Sequence, residues 1–477
     1  METLIQRAYS KVSGFPFFIL LGETMSTRME GITQQSLFSG KTETMEVLVT
    51  QNNRYRVLAE HLPWKELGDV ANAWRAKQVN IHNGRPLNLR LHLGALIAQG
   101  MNRWTDRETE EMVAHHAGVR VLCSLEYSRE TIDHTSIEVF RNQLTEKGVE
   151  AINQKVIKAA VAAGFTGSRL CSSDTTVQES PIAYPTEVGH MRMIAKKLVG
   201  MGSQIKKKLS GRLGKLAEEV QKTFTAIRLF TRGKGEAVVA KKKKLSRDLH
   251  RTVSRMKRLV EGGVNSLQEK ARGSYRESLD FYGVMLSQIR YWMKTGFHRS
   301  GKIVSVWEKQ ARAITRNKAA KAVEFGRRWI ITRMEKGYVI GTPCKKLGSD
   351  SDTGILPEVL AHFERIVGAL PKMVVYDRGG DGPVNHCELG QKKIRNAIFR
   401  KGDESLIGLG RNTVLKARRE RALSEAAIAT IKHPRYGFNK PRARSSEGCI
   451  VKGHVAILGA NVTRLARDWG GAAAAVT

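Results

Sequence analysis

Apolar positions along this chain keep two different periods, and the change from one to the other divides it into regions. The run Leu87 to Gln99 is rich in apolar residues and follows the turn-forming Asn83-Gly84-Arg85-Pro86, which predicts a helix. Thr105-Asp106-Arg107-Glu108 has the form of a capping box, in which hydroxyl and carboxylate each take up an orphaned backbone N–H, and it predicts a helix through His116. Thr135-Ser136-Ile137-Glu138 has the same form, and Ile137, Phe140, Leu144, Val149 and Ile152 continue at roughly helical spacing. Residues 1 to 60 carry little periodicity. A helical N-terminal domain over residues 1–165 is the simplest unit. Its short capped helices suit a DNA-reading helix-turn-helix as well as any small bundle.

From Arg169 the period shortens. Arg169 to Val177 reads as a strand that carries Asp174, with Ile182 to Pro185 as its neighbour. Strands return after Gly301, at Val323 to Thr332, Tyr338 to Gly341 and Lys372 to Asp377, with helical segments between and after them. Strands mixed with helices predict an α/β core in two pieces, residues 166–195 and 301–477. The intervening residues 196–300 are helical. Ile205, Leu209, Leu213, Leu216, Val220, Phe224 and Ile227 step by three and four, and Leu245, Leu249, Val253, Met256, Val260 and Leu267 do much the same after Gly233 and Gly235. That describes an amphipathic hairpin with Lys241, Lys242, Lys243 and Lys244 at its turn, and Tyr282, Met285, Ile289 and Trp292 supply a third helix.

Charge then separates these regions by partner. Lys and Arg number 80 against 45 Asp and Glu, a formal net charge of +35 over 477 residues. Like charge in a compact body repels itself, so folding gives no reason for the excess, whereas a polyanionic partner does. An ordinary neutral metabolic enzyme is excluded as the first reading. Residues 196–300 hold 26 Lys and Arg against 8 Asp and Glu, about half of the net charge. A solvated helix face mixes signs for i,i+4 pairing; this one is mostly positive, as a surface facing phosphates would be. A membrane is the other polyanion. However, the apolar run Phe15 to Leu21 is far short of the roughly 20 residues a spanning helix needs, and it lacks the basic lead of a signal peptide. Cys123, Cys171, Cys344, Cys387 and Cys449 are scattered without a C-x-x-C pair, which reads as reduced thiols. A cytoplasmic protein bound to nucleic acid accounts for all of this, with no membrane partner.

Familiar nucleotide motifs fail. Gly296 to Lys302 has phosphate-loop spacing, but Ile303 stands where a magnesium-holding Ser or Thr belongs and a helix, not a strand, precedes it. Gly408-Leu409-Gly410 lacks a third glycine, and His115-His116 and His386-Cys387 have no metal-ligand spacing. A set of acids remains. Asp174 and Asp377 belong to strand endings, and Glu425 lies on a helix from Arg418 to Lys432 that Pro434 stops. Heptad-like spacing puts Arg418, Arg421, Glu425 and Lys432 on one face of that helix, with Leu423, Ala427 and Ile431 on another that can pack on a sheet. Three carboxylates in a basic surround suit two-metal phosphoryl transfer, in which hard oxygen ligands hold two Mg²⁺ or Mn²⁺ ions roughly 3.5–4 Å apart. One acid among three bases is equally the pattern of an ion-paired helix surface.

The stretch Asp174-Thr-Thr-Val-Gln-Glu-Ser-Pro-Ile-Ala-Tyr-Pro-Thr-Glu187 resembles the first-aspartate block of bacterial insertion-sequence transposases with a DDE, RNase H-like core. Val323-Glu-Phe-Gly326 and Gly337-Tyr-Val-Ile-Gly341 resemble the strands that follow, and Val375-Tyr-Asp377-Arg378-Gly379 resembles the second-aspartate strand. Arg421, Glu425 and Lys432 match the R-E-K part of the Y-R-E-K signature of one transposase clan. Asn461 to Arg464 and Ile132 to Arg141 are similar to the C-terminal helix and the preceding helical domain of such proteins.

The resemblance implies an α/β RNase H-like catalytic core with a helical N-terminal domain and a basic all-helical insertion. It implies that Asp174, Asp377 and Glu425 hold two Mg²⁺ (or Mn²⁺) ions, and that water and then a 3′-hydroxyl attack phosphodiester bonds in line. Arg421 and Lys432 would contact DNA beside the scissile phosphate, with His433, Arg435, Tyr436 and Lys440 extending that surface, and Lys241 to Lys244 would bind the DNA backbone. Cutting paired transposon ends calls for a homodimer on double-stranded DNA, associated with the nucleoid.

Three departures stand against the pattern. Arg418 replaces the signature Tyr, Thr186-Glu187 replaces Thr-Asp, and the insertion falls between the two aspartates, not between the second aspartate and Glu425. A non-catalytic DNA-binding protein derived from a transposase, or a metal-dependent endonuclease without strand transfer, shares the same residues.

Overall fold

The computed structural model describes residues 49–81, 86–205, 207–230, 235–299, 301–318, 321–345, 354–400, 408–443 and 445–474. The Phe15 to Leu21 run, Asn83 to Arg85 and Gly233 lie outside them.

Helices come first: α1 (Arg54–His61), α2 (Trp64–Arg75), α3 (Leu89–Asn102), α4 (Asp106–His115), α5 (Ala117–Leu122) and α6 (His134–Ala162). α3 is the expected apolar helix; Asn88 caps it, and every residue from Leu91 to Met101 is buried. α4 opens on the Thr105–Glu108 capping box, both halves of which form. The second expected box does not. Asp133 caps α6 by accepting from the N–H groups of Thr135 and Ser136, so Thr135 lies inside the first turn. A carboxylate two residues upstream, at the N-cap itself, is an acceptor favoured by the helix dipole as well as by geometry. α6 is kinked at Thr145, whose φ of 60° is left-handed.

The sheet contains β1 (Leu170–Glu179), β2 (Arg312–Lys318), β3 (Lys321–Arg333), β4 (Val339–Pro343), β5 (Met373–Tyr376) and β6 (Arg395–Ile398). Its order is β2-β3-β1-β5-β6, with β4 also paired to β3. β3 is long enough to take β2 along Lys321–Gly326 and β4 along Trp329–Arg333, both antiparallel. β1 runs antiparallel to β3 and parallel to β5, and β5 runs parallel to β6. Ile182 to Pro185 forms no strand. Pro181 and Pro185 bracket it without N–H donors, and both edges of β1 are already taken by β3 and β5.

One sheet face, with Cys171, Ile330, Val374 and Tyr376, shares a continuous core with the N-terminal helices, α11 (Leu356–Val367) and α14 (Ser446–Ala474). α12 (Pro383–Gln391) links β5 to β6 and adds Leu389 to that core. α13 (Arg411–Lys432) covers the opposite face, where Ala417 meets Leu170, Met373 and Val375, and Ala427 and Ile431 meet Trp329 and Ile331. α3 and α14 cross at two glycines: a Cβ on Gly459 would stand 2.1 Å from the Gly100 carbonyl oxygen. Only hydrogen at that position permits so close a backbone approach.

The basic segment forms four helices, α7 (Glu187–Ile205), α8 (Lys207–Leu229), α9 (Glu236–Val264) and α10 (Glu269–Thr295). They close on a core of their own that includes Met191, Leu198, Leu213, Leu249, Met256 and Met285. α7 was not anticipated as part of it. Lys241 to Lys244 lie in the second and third turns of α9, not at the hairpin turn, because lysine propagates a helix and Gly235 caps its start. The chain leaves and rejoins the sheet region at one place: Lys302 and His298 both approach Glu187, and the His190 ring pairs with the Val304 carbonyl at 3.0 Å.

Candidate active site

Strand alternation places Ser172 and Asp174 of β1 on the face toward α13, with Cys171 and Ser173 on the other. β1 and β5 pair in parallel with Ser172 opposite Val375 and Ser173 opposite Tyr376. One residue further, the same register sets Asp174 beside Asp377 on neighbouring strands about 4.8 Å apart. Asp377 follows Val375 by two positions and so shares its face.

α13 is fixed against these strands by polar contacts. Ser424 Oγ lies 2.6 Å from Ser172 Oγ and 3.2 Å from the Ser172 carbonyl, and Ser172 Oγ donates to the Glu420 carbonyl at 3.3 Å. The Glu420 carboxylate pairs with Arg333, which stands opposite Ser172 at the end of β3. Burial pushes the Arg333 guanidinium below its ordinary range, and Glu420 opposes that shift. The buried residues of α13 are therefore Ala417, Ser424, Ala427 and Ile431, and Leu423 of the expected face is only half-buried. A small serine is what allows the helix to approach the β1 backbone.

Glu425 follows Ser424 and is exposed. Asp174, Asp377 and Glu425 line one cleft together with Ser172, Ser424 and Arg421. Arg421, one turn before Glu425, sets Nη2 2.8 Å from Asp377 Oδ1, and its guanidinium carbon stands 5.1 Å from the centre of the Phe399 ring. Oδ1 of Asp377 also accepts the Arg378 N–H at 2.7 Å, and Oδ1 of Asp174 accepts the Thr175 N–H at 2.6 Å. These short backbone bonds fix the direction of both carboxylates.

Three carboxylates with no nitrogen or sulfur donor fit a hard divalent cation such as Mg²⁺ or Mn²⁺ in kind. In their present arrangement they border the cleft without closing on a point: among the described residues, no three His, Cys, Asp or Glu side chains form a group that could hold a metal ion.

The other residues singled out from the sequence lie elsewhere. Lys432 ends α13, about 10 Å beyond Glu425 along the helix. Arg435 turns to the N-terminal helices, its Nε donating to the Met101 carbonyl at 3.0 Å. Lys440 pairs its N–H with the Glu179 carbonyl at 2.8 Å. Lys241, Lys243 and Lys244 are exposed on α9 and Lys242 is half-buried, with Lys241 Nζ 4.4 Å from the Phe230 ring centre. Sequence reasoning missed Ser172, Ser424, Arg333, Glu420 and Phe399. The spacing of Ala417, Glu420, Ser424, Ala427 and Ile431 by three and four was the readable signal for Glu420 and Ser424.

Residues 43–143, which take in α1 to α5 and the start of α6, match the family model described as Transposase domain (DUF772). The match ties these helices to transposases and ends before the first acid of the cleft. No curated protein and no solved structure matches the chain. No helix among the described residues is long and apolar enough to cross a membrane.

Proposed function

We propose that the chain is a DDE transposase that cuts and rejoins DNA at the ends of an insertion sequence. The observation that carries this reading is the single cleft lined by Asp174 from β1, Asp377 from the end of β5 and Glu425 from α13. The strand order β4-β3-β1-β5-β6, antiparallel up to β1 and parallel after it, supports an RNase H-like core to which β2 and the helices α7–α10 are additions. The transposase-domain match and the +35 charge support a DNA substrate.

Asp174, Asp377 and Glu425 would hold two Mg²⁺ or Mn²⁺ ions. Such ions, when bound, activate an attacking oxygen and stabilise a leaving one in an in-line displacement. The protein's own part is positional. The Thr175 and Arg378 N–H groups orient the aspartates, the Ser172–Ser424 contact and the Arg333–Glu420 pair hold Glu425 over them, and Arg421 offers a guanidinium to a phosphate entering the cleft. The lysines of α9 grip the duplex without reading it, in a homodimer that brings two ends together.

The test uses full-length protein, end-bearing DNA and Mg²⁺. The wild type should nick the ends and join them to a target, and Asp377→Ala and Glu425→Gln should lose at least about 100-fold in nicking while still binding DNA. A folded, DNA-bound Asp377→Ala that nicks at the wild-type rate would remove the site assignment. Nicking without joining would reduce the protein to an endonuclease.

A further inference from the structure

The acid cleft contains a cation of its own. Arg421 is about one-third exposed and Asp377 two-fifths exposed, and their side chains meet at 2.8 Å. The Asp377 oxygen that receives Arg421 is also the one that receives the Arg378 N–H. Phe399, itself buried, offers its ring face to the same guanidinium. The backbone of Arg421 is held because α13 is anchored at Ser424 and Glu420 on either side of it, while its side chain, one-third exposed, reaches the cleft beyond those anchors.

We propose that Arg421 is the counter-cation of the cleft: it neutralises Asp377 in the free protein and exchanges that place for a DNA phosphate, so that divalent ions load fully only when DNA is present. This rests on the reading that the three acids hold divalent ions. Three carboxylates facing one cleft repel each other, and Arg421 cancels one of the charges. The same positive charge opposes an arriving divalent ion, since like charges a few ångströms apart repel even through partial screening. The pair is exposed enough to exchange, because ion pairs in contact with water are weak. Phe399 gives the guanidinium a seat that does not depend on Asp377, so the arginine stays at the rim of the cleft with its N–H fork free for phosphate oxygens. Binding of DNA and of ions then strengthen each other by an equal factor, as linkage requires.

The test is a Mn²⁺ titration of full-length protein, reading the free ion by electron paramagnetic resonance, with thermal unfolding as the check on folding. Without DNA, Arg421→Gln should bind Mn²⁺ about three- to tenfold more tightly than wild type, and Arg421→Lys, which keeps the charge, should stay within about twofold. A short DNA duplex should tighten Mn²⁺ binding to the wild type more than to Arg421→Gln. Unchanged or weaker affinity in Arg421→Gln, or equal tightening by DNA in both proteins, overturns the counter-cation role. Asp377→Asn separates the two levels. If it abolishes Mn²⁺ binding, the ion site stands whatever Arg421 does; if it binds as wild type does, the ion site itself is wrong.

Discussion

Replacing Glu420 by Gln removes the carboxylate paired with Arg333 while keeping the side chain's size and the backbone carbonyl that accepts from Ser172. The side chains of Arg333 and Glu420 are only 8% and 13% exposed, and Arg419 and Arg464 lie close enough to Arg333 to press its charge further down. Without Glu420, a buried guanidinium is left among like charges. Breaking a buried ion pair from one side costs about 3–5 kcal/mol, and the slight exposure here favours the lower figure, about 3 kcal/mol. If Arg333 instead swings to solvent, the cost is transferred to α13, which loses its hold on β3. Glu425 lies five residues along the same helix, and a shift of about 1 Å at a reacting group costs on the order of 100-fold in rate. Thermal unfolding and end nicking of Glu420→Gln, Arg333→Met and the double variant that combines these two changes test this. Each single change should lose about 3 kcal/mol and most of the nicking. The double change should recover much of the stability, because no charge is left unpaired. Stability of Glu420→Gln within about 0.5 kcal/mol of wild type, with nicking intact, would refute the idea that this pair seats the helix.

The crossing of α3 and α14 gives a steric prediction. Gly459→Ala should destabilise by about 1–3 kcal/mol, measurable in a thermal melt, because the new methyl meets backbone and not a movable side chain. Acid should weaken the fold through His454, whose imidazole burial pushes down to about 4. The folded value lies below the unfolded one, so stability is complete above about pH 6.5 and falls as pH drops to about 4, by about 3 kcal/mol for this residue. Burial pushes His92, His190 and His250 down too, so they act in the same direction, and a His454→Gln protein should show a flatter profile over that window. Duplex binding should fall steeply with salt, and replacing Lys241 to Lys244 by Ala should reduce the slope of log affinity against log salt by about 2 to 3. An unchanged slope would mean that α9 does not face phosphates.

Legibility followed the range of the interactions. α3 and the α4 capping box depend on neighbouring residues and could be read directly. β5 was legible because an apolar run that closes on a carboxylate, as at Val374-Val375-Tyr376-Asp377, has few other uses, whereas β1 continues past Asp174 to Glu179, so that acid lies inside its strand and not at the end expected for it. Asp133 was overlooked because Thr135 and Glu138 make a complete capping signature, and only the folded backbone shows which acceptor wins. α7 was cut in two because the stripe of Met191, Ile194 and Leu198 looks the same whether it faces a sheet or other helices. The inner face of α13 was legible only in part: Ala427 and Ile431 pack on the sheet as expected, but Leu423 stood where Ala417 and Ser424 belong, because serine and glutamate at 424 and 420 do not announce burial and their partners on β1 and β3 are long-range. The Arg421–Asp377 contact had no local signature at all, since it depends on where α13 lands on the sheet.

The chain departs from the sheet region at Glu187 and His190 and comes back at His298, Lys302 and Val304, and those residues hold one another directly. Topologically, everything between them is a single closed loop hung from a clasp. The strands on either side experience a connection whose ends are already together, whatever its length. The four helices could therefore be lengthened, shortened or exchanged in evolution without changing the register of β1 against β3, because the clasp rather than the helices sets where the strands meet. That makes the basic body a replaceable module, which under the proposed DNA-binding role could follow a change of DNA partner while the acid cleft stays as it is.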